Sequence, residues 1–180
     1  MTPDTTDLRA GAPIHDALLA LLPLVGTWHG GGAGVVASSG AEFSFGQRVT
    51  FAHDGRPFLA YESRSWLLAA DGSVIRQAWR ENGFWRAGAG HDDIEVALAS
   101  NTGQALVFAG TAGDQRWDLA TISATHTPNA FDVDGERRLY ALRSDELVYV
   151  TELAPGGEDY APHLNARLAR QPARSDPPPA

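Results

Sequence analysis

The chain has 180 residues, which suits one domain, and 43% of them are hydrophobic, enough for a real core. It has no Cys and no Lys, and its net charge is −8. Disulfides, thiolate nucleophiles, thiolate-held metal centres, Schiff-base chemistry and a Walker lysine are therefore excluded, and an acidic chain is a poor match for nucleic acid.

No apolar run approaches the roughly 18 residues that span a bilayer. The longest, Ala17 to Leu22, stops at Pro23. The opening, Met1 to Asp7, is polar and acidic, unlike a secretory signal. A cytoplasmic protein without membrane contact is the expectation. Residues 1–12 read as a disordered leader, 13–171 as one folded domain, and 172–180 as a Pro-rich disordered tail.

Pro13 sits where a helix can open. Ile14, Leu18, Leu21 and Leu22 recur at helical spacing, and Pro23 ends the run. This predicts a short amphipathic helix of about two or three turns, with His15 on its exposed side. After Val25 the chain reads as β. Asp54-Gly55, Asp71-Gly72 and Asp134-Gly135 carry a hairpin-turn dipeptide, and Thr102-Gly103 and Ser144-Asp145 look like further turns. Between them Ile94, Val96 and Leu98 share a face. So do Leu147, Tyr149 and Thr151, and so do Arg138, Tyr140 and Leu142. About ten strands joined by short turns must pair their edges, and closing into an antiparallel barrel does so. The predicted fold is all-β, a closed lipocalin-like barrel with a short N-terminal helix. Such a barrel either fills with side chains or holds one small ligand.

The first strand, Gly26-Thr27-Trp28-His29-Gly30-Gly31-Gly32-Ala33-Gly34, is unusually rich in glycine. Glycine weakens a strand interior, so it implies a bend or the close approach of a backbone or flat ligand. Trp28 shares parity with Gly26, Gly30, Gly32 and Gly34, and a bulky ring among bare positions could close one end of the barrel. No Lys follows, so this is not a phosphate loop.

Of six histidines, His53 precedes a turn, His91 adjoins Asp92 and Asp93 in a loop that reads as solvated charge, and His126 has no partner nearby in sequence. No two are spaced as a zinc pair. There is no Gly-x-Ser-x-Gly elbow for a Ser-His-Asp array. His163 differs in setting, in Pro162-His163-Leu164-Asn165-Ala166-Arg167-Leu168. If Leu164, Ala166 and Leu168 face the core, alternation sends His163 outward as an ordinary polar residue. A ligand role requires a pocket on that face, or a bulge near Pro162 that redirects the ring.

The chain resembles the nitrobindins, haem-binding β-barrels also described as peroxynitrite isomerases, from about Leu18 to Arg170. The resemblance lies in Gly-x-Trp-x-Gly-x-Gly at Gly26, Trp28, Gly30 and Gly32, in the stretch Phe51 to Tyr61, in Glu81-Asn82-Gly83-Phe84-Trp85-Arg86, and in the closing Pro162 to Leu168 motif. It implies haem b with His163 as axial iron ligand, reversible NO binding and conversion of peroxynitrite to nitrate at ferric iron, with no protein acid or base required. Where the family has Tyr-Pro-Thr, its threonine near the haem, this chain has Val36-Ala37-Ser38. Ser38 keeps a hydroxyl there, while the aromatic ring and the rigid Pro are gone. The expected partners are small molecules, NO and peroxynitrite, and a homodimer is allowed. Two other readings stay open: a haem-free carrier of an apolar molecule, and an NO sensor without turnover.

Overall fold

The computed structural model describes residues 3–90 and 92–172. It is a closed barrel of ten antiparallel strands. They are β1 (Gly26–Val35), β2 (Glu42–Ala52), β3 (Leu59–Leu68), β4 (Val74–Ala87), β5 (Asp93–Ser100), β6 (Gln104–Gly113), β7 (Arg116–His126), β8 (Gly135–Arg143), β9 (Glu146–Ala154) and β10 (Ala161–Arg170). Each strand pairs with its sequence neighbours, and β1 pairs with β10 to close the ring.

The turns follow from local chemistry. Gly55, Gly72 and Gly103 take positive φ at their turns, while the preceding Asp54, Asp71 and Thr102 do not. Ser144-Asp145 has both residues at positive φ, the geometry of a two-residue hairpin. Asp114-Gln115 does the same between β6 and β7, with the nearest glycine, Gly113, ahead of the turn rather than in it. Asp134-Gly135 is not a hairpin turn: Gly135 opens β8, and the β7–β8 connection is the longer stretch before it.

The glycine strand is explained by its neighbours. A Cβ on Gly32 would lie 1.8 Å from the Asn165 carbonyl oxygen, and one on Gly30 would lie 2.2 Å from that of Arg167. Bare inward positions let β1 and β10 approach and close the sheet. The approaching group is backbone, not a flat ligand.

The predicted helix is a 3-10 helix, Asp16–Leu24, and Pro23 lies inside it rather than ending it. It starts at Asp16, three residues after Pro13, capped by His15, whose Nδ1 accepts from the Ala17 N–H at 3.1 Å. Leu18, Leu21 and Leu24 are fully buried. The Trp28 and Trp117 indoles donate to the carbonyls of Leu24 at 2.8 Å and Ala20 at 2.9 Å. The helix thus closes the end of the barrel where β1 and β7 begin. Trp85 packs edge-on against Phe51 and Tyr140 further in, which fills that half with aromatic rings. Residues of the expected leader are tied to the barrel: Thr5 and His53 exchange backbone hydrogen bonds of 2.8 and 2.9 Å. Most of the expected tail, residues 173–180, lies outside the described residues.

Gly32→Ala is expected to cost about 3 kcal/mol or more in urea unfolding, because backbone must move to admit the methyl group. Gly113→Ala, where a Cβ meets nothing within 4 Å, should change stability by under about 0.5 kcal/mol.

Candidate functional site

The half of the barrel away from the helix is hollow. A cavity of about 300 Å³ opens there, between the β1–β2 loop at Val36–Ser38, the β5–β6 turn and the segment holding Phe131 and Val133. β7 and β8 pair only from Arg116↔Ala141 to Ala120↔Arg137, so the sheet parts at this mouth. Thr121 bridges the gap, its Oγ1 donating to the Glu136 carbonyl and accepting from the Glu136 N–H, both at 2.9 Å. The upper walls are apolar, with Phe43, Trp79, Leu106, Phe131 and Leu164.

His163 lines this cavity. The β9–β10 register runs Pro162↔Glu152 and then Leu164↔Thr151, so His163 is the extra residue of a bulge. Pro162 supplies no N–H to the ladder, which favours an irregularity there. The bulge resolves the parity conflict: Ala166 and Leu168 are buried, Leu164 packs on the core, and His163 still turns inward. Its Nδ1 lies 2.9 Å from the Val35 carbonyl oxygen. Nδ1–H donating to that carbonyl leaves Nε2 with a free lone pair. Burial lowers the pKa of the ring. The Val35 hydrogen bond opposes this and the Arg138 charge adds to it, so the imidazole is neutral at pH 7.

Ser38 sits exposed at the mouth beside Val36 and Ala37. The motif glycines and Trp28 do not line the cavity: Gly30 and Gly32 serve the β1–β10 seam, and Trp28 lies at the helix end. His29 packs outward against Trp66, with ring centroids 5.5 Å apart. His126 does have a partner, Asp132, at 3.1 Å. His91 falls outside the described residues.

The floor is polar, and sequence reasoning missed it. Arg138 reaches inward from β8 and donates to both oxygens of Glu81 on β4, at 2.9 and 2.7 Å, and to Glu136 at 2.7 Å. Tyr61 donates to Glu81 at 3.3 Å. Tyr149 donates to Gln47 at 2.8 Å, and Gln47 donates to Ser63 at 2.9 Å. Burial raises the pKa of Tyr61, Tyr140 and Tyr149, so all three phenols stay neutral. Burial also pushes Glu136 up, helped by the neighbouring Glu81 charge and opposed by Arg138. Glu81 is held low: burial opposes ionisation, but the Arg138 charge and hydrogen bonds outweigh it. One buried cation thus keeps one carboxylate charged and leaves the second easily protonated. The signal was present in the parity of Arg138 with Tyr140 and Leu142, which puts a charge inside the barrel. Its partner on β4 is 57 positions away and left no local trace.

Several known proteins share this architecture. A model of the "THAP4-like, heme-binding beta-barrel domain" matches residues 17–170. A peroxynitrite isomerase of Streptomyces griseus is 44% identical over 167 residues, covering 91% of this chain and 90% of that protein. A ferric nitrobindin-like protein of Nocardia farcinica is 42% identical over 93% of this chain and 72% of its own length. The crystal structure of Rv2717c from M. tuberculosis superposes with a TM-score of 0.77 at 31% identity, covering 88% of this chain and 99% of that one.

Glu81→Gln is expected to cost about 3 kcal/mol in denaturant unfolding, because it strips the charged partner from a buried cation. Glu136→Gln should cost under about 1 kcal/mol, since the amide still accepts from Arg138. A carboxyl whose folded pKa is raised holds a proton that the unfolded chain has already released, so stability falls as pH rises from the ordinary glutamate value to the folded one. Unfolding of Glu136→Gln across that window should lack this fall.

Proposed function

From a chain that belongs to the THAP4-like, heme-binding beta-barrel domain family, we propose that His163 ligates the iron of haem b through Nε2. The observation that carries this is the bulge: it turns His163 into the cavity, the one imidazole there among the described residues, with an anchored Nδ1 and a free Nε2. The residues present fit the group. The imidazole is neutral, as ligation requires, and Phe43, Trp79, Leu106, Phe131 and Leu164 offer a planar macrocycle apolar contact. Ser38 at the mouth is the proposed hydroxyl contact to the cofactor.

The activity is isomerisation of peroxynitrite to nitrate, in line with the relatives that carry that name. Haem b, when bound, supplies a ferric Lewis acid with a position open to a small ligand. The protein's own part is to hold and screen. Val35 orients the imidazole and raises its basicity as a ligand, and the apolar walls limit water. Substrate and product have the same atoms and charge, so no net proton moves, and no protein acid or base need act. NO binding at the same open position is part of the proposal. The charged floor disfavours the alternative of an apolar carrier, because such a cargo would bury Arg138 and both glutamates against hydrocarbon.

We also propose that the homodimer forms through the outer face of β4 to β7. Phe84 pairs with Ala97, Ala97 with Val107, and the bulged Ile122 lies beside Val107, giving a row exposed by 52%, 40% and 67% at Phe84, Val107 and Ile122. Sedimentation should show a dimer that Ile122→Arg converts to monomer; a monomeric wild type would refute this.

Haem titration of the wild type should give a shifted Soret band saturating at one haem per chain. His163→Ala should weaken binding by about tenfold or more and change the ligand-field spectrum. Unchanged occupancy and spectrum in that variant would remove His163 from the iron.

A further inference from the structure

Among the described residues, two that line the cavity each bury a polar atom without a partner: Arg138 its Nε and Thr151 its Oγ1. Burying such groups unpaired is costly, so each is a place to look for a missing ligand. They are neighbours by construction. Arg138 on β8 is paired directly across the ladder with Thr151 on β9, and Thr151 in turn with Leu164, next to the bulged His163. One register row therefore carries a guanidinium N–H and a hydroxyl, with the imidazole one position away at the bulge, and all three residues line the same cavity.

We propose that Arg138 Nε and Thr151 Oγ1 form an oxyanion subsite that receives an oxygen of a small nitrogen oxyanion, with nitrate as its simplest occupant. The proposal rests on the peroxynitrite reading above and adds where the anion sits apart from iron. Arg138 is fixed for this task. Glu81 takes the Nη1/Nη2 fork and Glu136 takes a second Nη2 hydrogen, so the guanidinium cannot swing. The Nε–H is left over. Arg138 and Thr151 are 6% and 3% exposed, so an anion there competes with little bulk water.

Charge balance sets the condition. With both glutamates ionised the cluster is net negative and repels an anion. With Glu136 protonated, Arg138 and Glu81 cancel, and the anion meets donors without a counter-field. The other titratable groups on this cavity are the phenols of Tyr61 on β3, Tyr140 on β8 and Tyr149 on β9, all neutral, and the His163 ring on β10, which burial keeps neutral at pH 7. Burial and Glu81 both favour the protonated form of Glu136. Anion binding should therefore take up a proton and strengthen as pH falls.

The test is nitrate titration of the full chain carrying ¹⁵N-arginine, followed at the side-chain Nε resonances. It is run without porphyrin and with gallium protoporphyrin as a diamagnetic stand-in. The expected result is a saturable shift of one Nε resonance, the one absent in Arg138→Lys, with affinity rising toward acid pH. Thr151→Val should weaken nitrate by about fivefold or more, and Thr151→Ser should restore it. An Arg138 resonance that nitrate leaves unmoved, or that moves equally in Thr151→Val, overturns the proposal and leaves the pair to water. A resonance that moves on porphyrin loading alone, and not with the porphyrin dimethyl ester, also overturns it by assigning the pair to a propionate. Porphyrin uptake by the same samples reads the iron site separately: failure there sinks the haem reading, while the porphyrin-free nitrate arm still decides the subsite.

Discussion

The contact on which the structure depends is the pairing of β1 with β10. It joins the two ends of the sheet and removes both free edges. Seven residue pairs, from Trp28↔Arg170 to Gly34↔Leu164, form it. At Gly30 and Gly32 the strands run closer than any side chain permits. Arg170 locks the lower end: it lies 4.0 Å over the Trp28 ring and donates to the Val25 and Pro23 carbonyls. At the upper end the same seam places His163 opposite the end of β1, where the Val35 carbonyl meets it. The glycines thus act on the site at a distance. They set the spacing of the strand pair that aims the imidazole.

Inside the ring the two halves obey different rules. Near the helix the space is filled by Trp28, Trp85, Trp117, Phe51 and Phe108, all buried and in contact with other apolar side chains. Toward the mouth the inward positions turn to Gln47, Ser63, Glu81, Glu136, Arg138 and Thr151. A cation with two carboxylates is a weak source of stability, because desolvation offsets most of the attraction. Its value is geometric. It ties β4 to β8 beside the point where β7 and β8 stop pairing, and that keeps a hollow from collapsing.

Much of this was legible in the residues. Period-two patterns placed Ile94, Val96 and Leu98, and likewise Leu147, Tyr149 and Thr151, on the inner face, where they are buried or partly so. The run of short turns implied closure. Parity also framed the one question that mattered at His163, and the bulge beside Pro162 answered it. What escaped had non-local or non-glycine causes. Asp114-Gln115 turns without a glycine. Pro23 sits inside a 3-10 helix because the Ala20 carbonyl, which its missing N–H would have met three residues back, accepts from the Trp117 indole instead. Glu81 and Arg138 meet across the barrel, and only closure brings them together.

The helix at the far end has a consequence for traffic. With Leu18, Leu21 and Leu24 sealed beneath it and aromatic rings packed above, the hollow is closed at its helix end among the described residues and opens at the other. Whatever enters past Val36 and Phe131 finds no passage through the helix end. Arrival and departure therefore share the open end, and the side chains around it meet both the incoming and the outgoing molecule.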